Sequence, residues 1–300
     1  MLKKISKIFL FLIVSTQLYA DSILINLEND IINGTDRHLT NSFNISYMHD
    51  LNNSYFDNVS FKLIQNIYTP EDTKSEDTKD YDIPYAGQLS VEFSLYKVHK
   101  NYFYAIGTNL GTIGKNSLAE ESQTTIHKLI DNTPAKGWDN QIEKDFTYGV
   151  SALLAYKSSK KEFFFNEIEL NTHIYANIGN TLRTASIGSL LRYGQNYPDN
   201  FEVIDHSDAA QLHLPQRFSD FAWSISAGVF LNYHDYIYVF DEYKDEYDTQ
   251  RDEKFFGGVA YFDLYYATSR LSLSVKKLTF RMNESPIDEA WIGLHYLYAF

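Results

Sequence analysis

Few residues in this chain could carry chemistry. Cysteine is absent, which excludes a thiol nucleophile and a thiolate metal site, and no Gly-x-Ser-x-Gly elbow occurs. Histidine is the side chain that exchanges a proton near neutral pH, and His127 stands in a polar run, Gln123-Thr124-Thr125-Ile126-His127. Asn29-Asp30 and Thr40-Asn41 offer carboxylate, amide and hydroxyl oxygens, and Thr35-Asp36-Arg37-His38 lies between them. Gly137-Trp138-Asp139-Asn140-Gln141 adds an indole beside further amides. Each has a plainer reading. Asn29-Asp30 could turn the chain at a strand end, Asp36 and Arg37 could form a rim ion pair, Trp138 could be an interfacial anchor, and His127 could be a solvated loop residue.

The elements that position these groups read as strands. Leu89, Val91, Phe93 and Leu95 alternate with Gln88, Ser90, Glu92 and Ser94. Phe221, Trp223, Ile225, Ala227, Val229, Leu231 and Tyr233 alternate with small or polar residues, and Phe43, Ile45 and Tyr47 with Ser42, Asn44 and Ser46. Such period-two runs, with polar residues on the second face, suit a barrel wall between lipid and a polar interior. Mean hydropathy is only -0.34, as alternation would produce, and the aromatic share of 16% suits girdles at two membrane interfaces. The expected fold is all-β: an antiparallel up-and-down transmembrane barrel of about twelve strands, with a short helix in an extracellular loop. The strands fall at 22–29, 39–50, 58–68, 85–97, 102–112, 145–157, 162–174, 181–193, 221–235, 256–268, 270–281 and 290–300.

The N-terminus reads as a signal peptide over 1–20. Lys3, Lys4 and Lys7 precede the apolar run Ile8–Val14, which is too short to span a bilayer. Residues 21–300 are then the barrel. Ile292, Leu294, Tyr296, Tyr298 and Phe300 share one face of the last strand. That ending resembles the signal by which the barrel assembly machinery recognises its clients. The formal charge of -13 argues against a nucleic-acid partner.

An even strand count places both ends in the periplasm and puts 30–38, 69–84, 113–144, 175–180, 236–255 and 282–289 outside. The three polar groups therefore share the outer end of the barrel. Asp30 and Thr40 also share the parity of their strands' lumen-facing residues. In 113–144, Ser117 and Glu120 suggest a capping box. Glu120, Gln123, Thr124, His127 and Asp131 form one polar side, with Leu118, Ile126, Leu129 and Ile130 apolar. The long 194–220 connection on the periplasmic side has no explanation in the pattern.

Five segments in order resemble the outer-membrane lipid A 3'-O-deacylase family across nearly the whole mature chain. They are 28–30, 34–41, Tyr81-Asp82-Ile83-Pro84-Tyr85-Ala86-Gly87, 123–127 and 137–141. The resemblance implies a Ca²⁺-dependent esterase in the outer membrane, acting on lipid A of lipopolysaccharide in the outer leaflet and removing its 3'-linked acyloxyacyl group. It implies His127 as the base activating water, and Asn29, Asp30 and Thr40 around Ca²⁺ and the oxyanion. Asp36, Arg37, Gln123 and Trp138 would contact substrate. The family's basic residue in the second outer loop has Lys74 as its nearest counterpart, and an acidic residue after the histidine has Asp131. The chemistry is coherent: hard oxygen donors suit Ca²⁺, and a cation beside an ester carbonyl stabilises developing charge. Two other readings remain, an outer-membrane phospholipase and a non-enzymatic channel or adhesion barrel. The first needs a serine beside a histidine, and no such pair is identifiable in the sequence.

Overall fold

The computed structural model describes residues 21–30, 37–51, 55–129, 131, 133–204 and 221–300; the expected signal peptide lies outside them. The strands are β1 (Ser22–Asn29), β2 (His38–Asp50), β3 (Asn58–Thr69), β4 (Ala86–Val98), β5 (Tyr102–Ile113), β6 (Asp145–Lys157), β7 (Lys161–Phe163), β8 (Asn166–Gly179), β9 (Leu182–Gln195), β10 (Ala222–Ile237), β11 (Lys254–Tyr266), β12 (Ser269–Met282) and β13 (Ser285–Ala299). Every pairing is antiparallel. β1 pairs β13, with Ser22 opposite Ala299, and β6 pairs β8, with Lys157 opposite Asn171. The result is a closed barrel of twelve long strands, and closure leaves no edge unpaired in lipid.

Alternation sorts the two faces. Val91, Phe93, Ile225, Val229, Leu294 and Tyr296 are exposed on the outer face, whereas Asn26, Asn44, Ser90, Glu92, Ser224 and His295 are buried in the lumen. Charges inside are paired. Arg192 meets Glu169 at 3.2 Å, Arg270 meets Asp263 at 2.7 Å, and Lys276 meets Glu28 at 3.0 Å. Unpaired, each would cost several kcal/mol in this setting.

Three sequence expectations change. The strand expected at 162–174 is two: β7 and β8 are joined by a tight turn with Phe164 and Phe165 at φ 43° and 69°. β8 then continues to Gly179, so the outer connection expected at 175–180 shrinks to Asn180-Thr181. The described part of the 194–220 connection turns back into the lumen. Tyr197, Asn200, Phe201, Glu202, Val203 and Ile204 are buried there. Phe201 packs edge-on to Phe103 at 4.9 Å, and Glu202 accepts from Ser226 Oγ at 2.5 Å. The alternating pattern ends at 195 because this segment fills the barrel rather than forming its wall.

Candidate active site

The outer end of the wall carries the first polar group. Asp30 follows β1, and its backbone N–H donates to Thr40 O at 3.2 Å. Its Oδ2 accepts the Arg37 N–H at 3.0 Å, a side-chain bond from the end of β1 to the residue before β2. Between Leu39 and Asn41 the register with β3 slips by one residue. Thr40 is the inserted residue. Such a bulge redirects a side chain without ending the strand, and Thr40 Oγ1 meets Thr69 Oγ1 of β3 at 2.6 Å. Asp30 and Thr40 are both buried. Asn29 pairs opposite Asn41 and Ile292 and is half-buried. It therefore shares the parity of Ile25 and Leu27, not of Asp30.

The helix, α1 (Ala119–Leu129), carries the second group. It packs against β3 and β4. Its buried residues are Ala119, Gln123 and His127, four apart, so its polar side faces the wall. Its large apolar residues Ile126 and Leu129 are exposed, Leu129 by 79%, as is Leu118 just before the helix. In water this orientation would be costly. Glu120, Glu121, Thr125 and Lys128 are exposed with those apolar residues, and such an amphipathic outer side suits the boundary between lipid and water. Ile130 lies outside the described residues.

Close approach of α1 depends on Gly87. A Cβ at that position would lie 2.1 Å from both Ala119 Cβ and Ser117 Oγ. Gln65 Nε2 of β3 donates to Ser117 O at 2.7 Å and ties the helix start to the wall. The expected capping box is only half formed. Ser117 Oγ accepts the Ala119 N–H at 3.3 Å, but Glu120 Oε2 accepts from Gln141 Nε2 at 3.2 Å. The left-handed Leu118, at φ 60°, separates Ser117 from the helix and takes Glu120 out of capping reach.

His127 Nδ1 lies 2.9 Å from Thr133 O. A carbonyl can only accept, so Nδ1 carries the proton and Nε2 keeps the lone pair, the tautomer a general base requires. Trp138 Nε1 donates to Gln123 Oε1 at 2.7 Å. Trp138 packs with Ile67, Tyr81, Tyr85 and Ala119, which joins α1, the 70–85 loop and β3 in one cluster. Ile67 and Thr69, on the same strand, thus link the helix group to Thr40. Trp138 here is an internal strut, not an interfacial anchor.

Other expected residues fall elsewhere. Arg37 is held on the rim, with Nη1 3.2 Å from Glu71 Oε1 and Nη2 2.9 Å from Asp288 O. Its ion-pair partner is Glu71; Asp36 lies outside the described residues. Lys74 is exposed in the second outer loop, where its N–H meets Asp72 Oδ1 at 2.9 Å. That loop is fastened to the helix connection on either side of Lys74: Lys136 N–H donates to Thr73 O and Asn140 Nδ2 to Glu76 O. Asp131 takes a left-handed φ of 57° beyond the end of α1.

His38 leaves the group its sequence neighbours suggested. At φ 54° it turns into the lumen, with Nε2 2.8 Å from Asp82 Oδ2 and Nδ1 against Glu289. Burial by itself would raise the Asp82 carboxyl. The hydrogen bond and charge of His38 outweigh it and hold Asp82 below its ordinary value. Thr69, Gln65 and the Thr133 carbonyl were not legible beforehand. The first two look like ordinary strand residues, and a backbone acceptor has no side-chain signature.

The residues suit a hard cation by donor type. The donors that Asp30, Thr40 and Asn29 offer a metal are oxygens, two of the three residues are buried, and among the described residues no group of three or more His, Cys, Asp or Glu that could hold a metal ion occurs. One carboxylate with neutral oxygens fits Ca²⁺ better than zinc.

Fold and site define the class: an outer-membrane β-barrel with Asp30 and Thr40 buried at the outer end of its wall and a helix whose Gln123 and His127 are buried against that wall. The family model described as "Outer membrane protein LpxR" matches residues 6–300, and the chain belongs to that family. A search of curated protein sequences found no match. The solved structure of LpxR from Salmonella typhimurium superposes with a TM-score of 0.75 at 18% identity, covering 93% of this chain and 100% of that one. At that identity the likeness concerns the fold. The β domain of the Bordetella autotransporter BrkA has a TM-score of 0.44 at 10% identity, covering 95% of this chain and 100% of that one. The KdgM porin has a TM-score of 0.41 at 8% identity, covering 93% and 99%. These two carry no argument about the site.

Proposed function

We propose that this chain is a Ca²⁺-dependent lipid A 3'-O-deacylase. The observation that carries the reading is the orientation of α1: Gln123 and His127 are buried against the wall at β3 and β4, β3 being the strand whose Thr69 meets Thr40, while Leu118, Ile126 and Leu129 are exposed. An amphiphile in the outer leaflet could then lay its acyl chains along the apolar side and its ester linkage in the polar seam.

His127 Nε2 takes a proton from water as the water oxygen attacks the ester carbonyl carbon. The Thr133 carbonyl, 2.9 Å from Nδ1, stabilises the imidazolium that forms. The bond to the sugar oxygen then breaks, and His127 returns its proton to that oxygen, releasing the 3'-linked acyloxyacyl group as a carboxylic acid. Asp30, Asn29 and Thr40 would hold Ca²⁺, which when bound supplies positive charge to the carbonyl oxygen as it becomes an oxyanion. Lys74 and Arg37 are the cations suited to lipid A phosphates at this rim.

The test is mass spectrometry of lipid A from cells with and without the protein, with His127→Ala and Asp30→Ala variants. Loss of the 3' acyloxyacyl mass with the wild-type protein, and its absence with either variant, is the expected result. Full activity of His127→Ala would overturn the assignment. Hydrolysis of phospholipid with lipid A untouched would favour a phospholipase.

A further inference from the structure

A second constellation lies inside the barrel, apart from the outer seam. Ser274 of β12, His295 of β13 and Asn26 of β1 face the lumen on three adjacent strands, and all three are buried. Ser274 Oγ is 2.8 Å from His295 Nε2, and His295 Nδ1 is 3.0 Å from Asn26 Oδ1. Asn26 Nδ2 in turn donates to Asn44 Oδ1 at 3.0 Å.

This last bond orders the chain. With its amide nitrogen committed to Asn44, Asn26 presents its oxygen to His295. Nδ1 must then carry the proton, and Nε2 must accept from the Ser274 hydroxyl. That is the nucleophile–base–orienter arrangement of hydrolases with an Asn third member. Gly293, directly opposite Ser274, leaves the pair its space: a Cβ there would lie 2.2 Å from Ser274 Oγ and 2.6 Å from His295 Nε2.

A lumen cavity of about 100 Å³ lies further toward the outer end, lined by Lys276, Trp291, Phe230, Leu278 and Glu289 among others and not by Ser274, His295 or Asn26 themselves. Lys276 is the next inward residue after Ser274 on β12, and Trp291 the next beyond Gly293 on β13. The chamber therefore ends one residue layer from the serine. Phe230, Phe240, Phe255, Phe280 and Trp291 line it together with Lys276, whose ammonium pairs with Glu28.

We propose that Ser274, His295 and Asn26 form a reactive serine site that accepts acyl groups from small esters entering the lumen. Ser274 Oγ bonds to the carbonyl carbon while its proton passes to His295 Nε2. The ester C–O bond breaks, the leaving oxygen takes that proton, and an acyl-serine remains. Water repeats the exchange, releasing a carboxylic acid and restoring the hydroxyl. The step needs no cofactor, and lipid A is too large to be its substrate. It is independent of His127.

The experiment is labelling of the folded full-length barrel in detergent with a small alkyl fluorophosphonate, read by intact mass and peptide mapping. Heat-modifiable electrophoretic mobility confirms folding of every variant. One adduct on Ser274 is expected, absent in Ser274→Ala, slowed about 10²-fold in His295→Gln, and unchanged in His127→Ala. That last variant separates this site from the outer seam. A folded wild-type barrel that stays unlabelled while a serine hydrolase in the same micelles is labelled overturns the proposal. So does an adduct that persists in Ser274→Ala.

Discussion

Placing an alanine at Gly87 asks whether the distance between helix and wall sets the rate. The added Cβ would lie 2.1 Å from Ala119 Cβ and from Ser117 Oγ, where ordinary contact begins at 3.4 Å. The hydroxyl could rotate, but Ala119 Cβ cannot and Ser117 Cβ lies at 3.0 Å, so the start of α1 must move outward by about 1 Å. Misplacement of that size can cost about 10²-fold in rate, or roughly 2.7 kcal/mol in activation free energy. The motion carries Gln123 and His127 away from Asp30 and Thr40 but leaves the pairing of β3 with β4 intact. Gly87→Ala is therefore expected to fold, to keep its heat-modifiable mobility, and to lose about two orders of magnitude in kcat/KM on lipid A micelles with Ca²⁺. Adding Ala119→Gly removes one of the two obstacles and should restore part of the rate. A folded Gly87→Ala barrel with wild-type kcat/KM would refute the idea that the seam between helix and wall is the site.

Three further outcomes follow from the geometry. Trp138→Phe removes the donor to Gln123 Oε1, at 2.7 Å, inside a buried cluster. It should cost about 1–3 kcal/mol of local stability, read as faster hydrogen exchange across 119–129. Because His38 holds Asp82 low, the stability from that pair is present at neutral pH and lost as pH falls through the lowered carboxyl value, below the usual 3.8. Thermal unfolding of wild type and Asp82→Asn should therefore differ at pH 7 and converge in strong acid; an unchanged gap would remove His38–Asp82 as a fastening of the outer loop. Arg192→Met leaves Glu169 and Glu202 without a cation they meet at 3.2 Å and 3.4 Å. About 3–5 kcal/mol of destabilisation is expected in urea unfolding from lipid vesicles, and wild-type behaviour would show that the network is dispensable.

Much of the fold was legible because a barrel wall writes itself into period-two alternation. Val91, Phe93, Ile225 and Leu294 had to face lipid, and Asn26, Glu28 and Ser90 the lumen, once the register was set. Alternation is blind where the chain leaves the wall. The 197–204 segment packs into the lumen through scattered residues such as Phe201 and Glu202, whose partners Phe103 and Ser226 are remote in sequence. The β7–β8 turn was hidden for another reason: phenylalanines rarely adopt left-handed backbone, so Phe164-Phe165 carries no turn signal.

The site divides in the same way. The sequence by itself determined which chemistry was available, through the absence of cysteine and the placing of Asp30, Thr40 and His127 at one end of the strands. Tertiary structure decided what those residues face. The bulge between Leu39 and Asn41 turned Thr40 toward Thr69, and the left-handed His38 went into the lumen. Packing on Gly87 set the polar side of α1 against the wall. The Ser274–His295–Asn26 chain was out of reach of any sequence reading, because its members come from the last two strands and the first. Only closure of the barrel, β1 against β13, makes them neighbours.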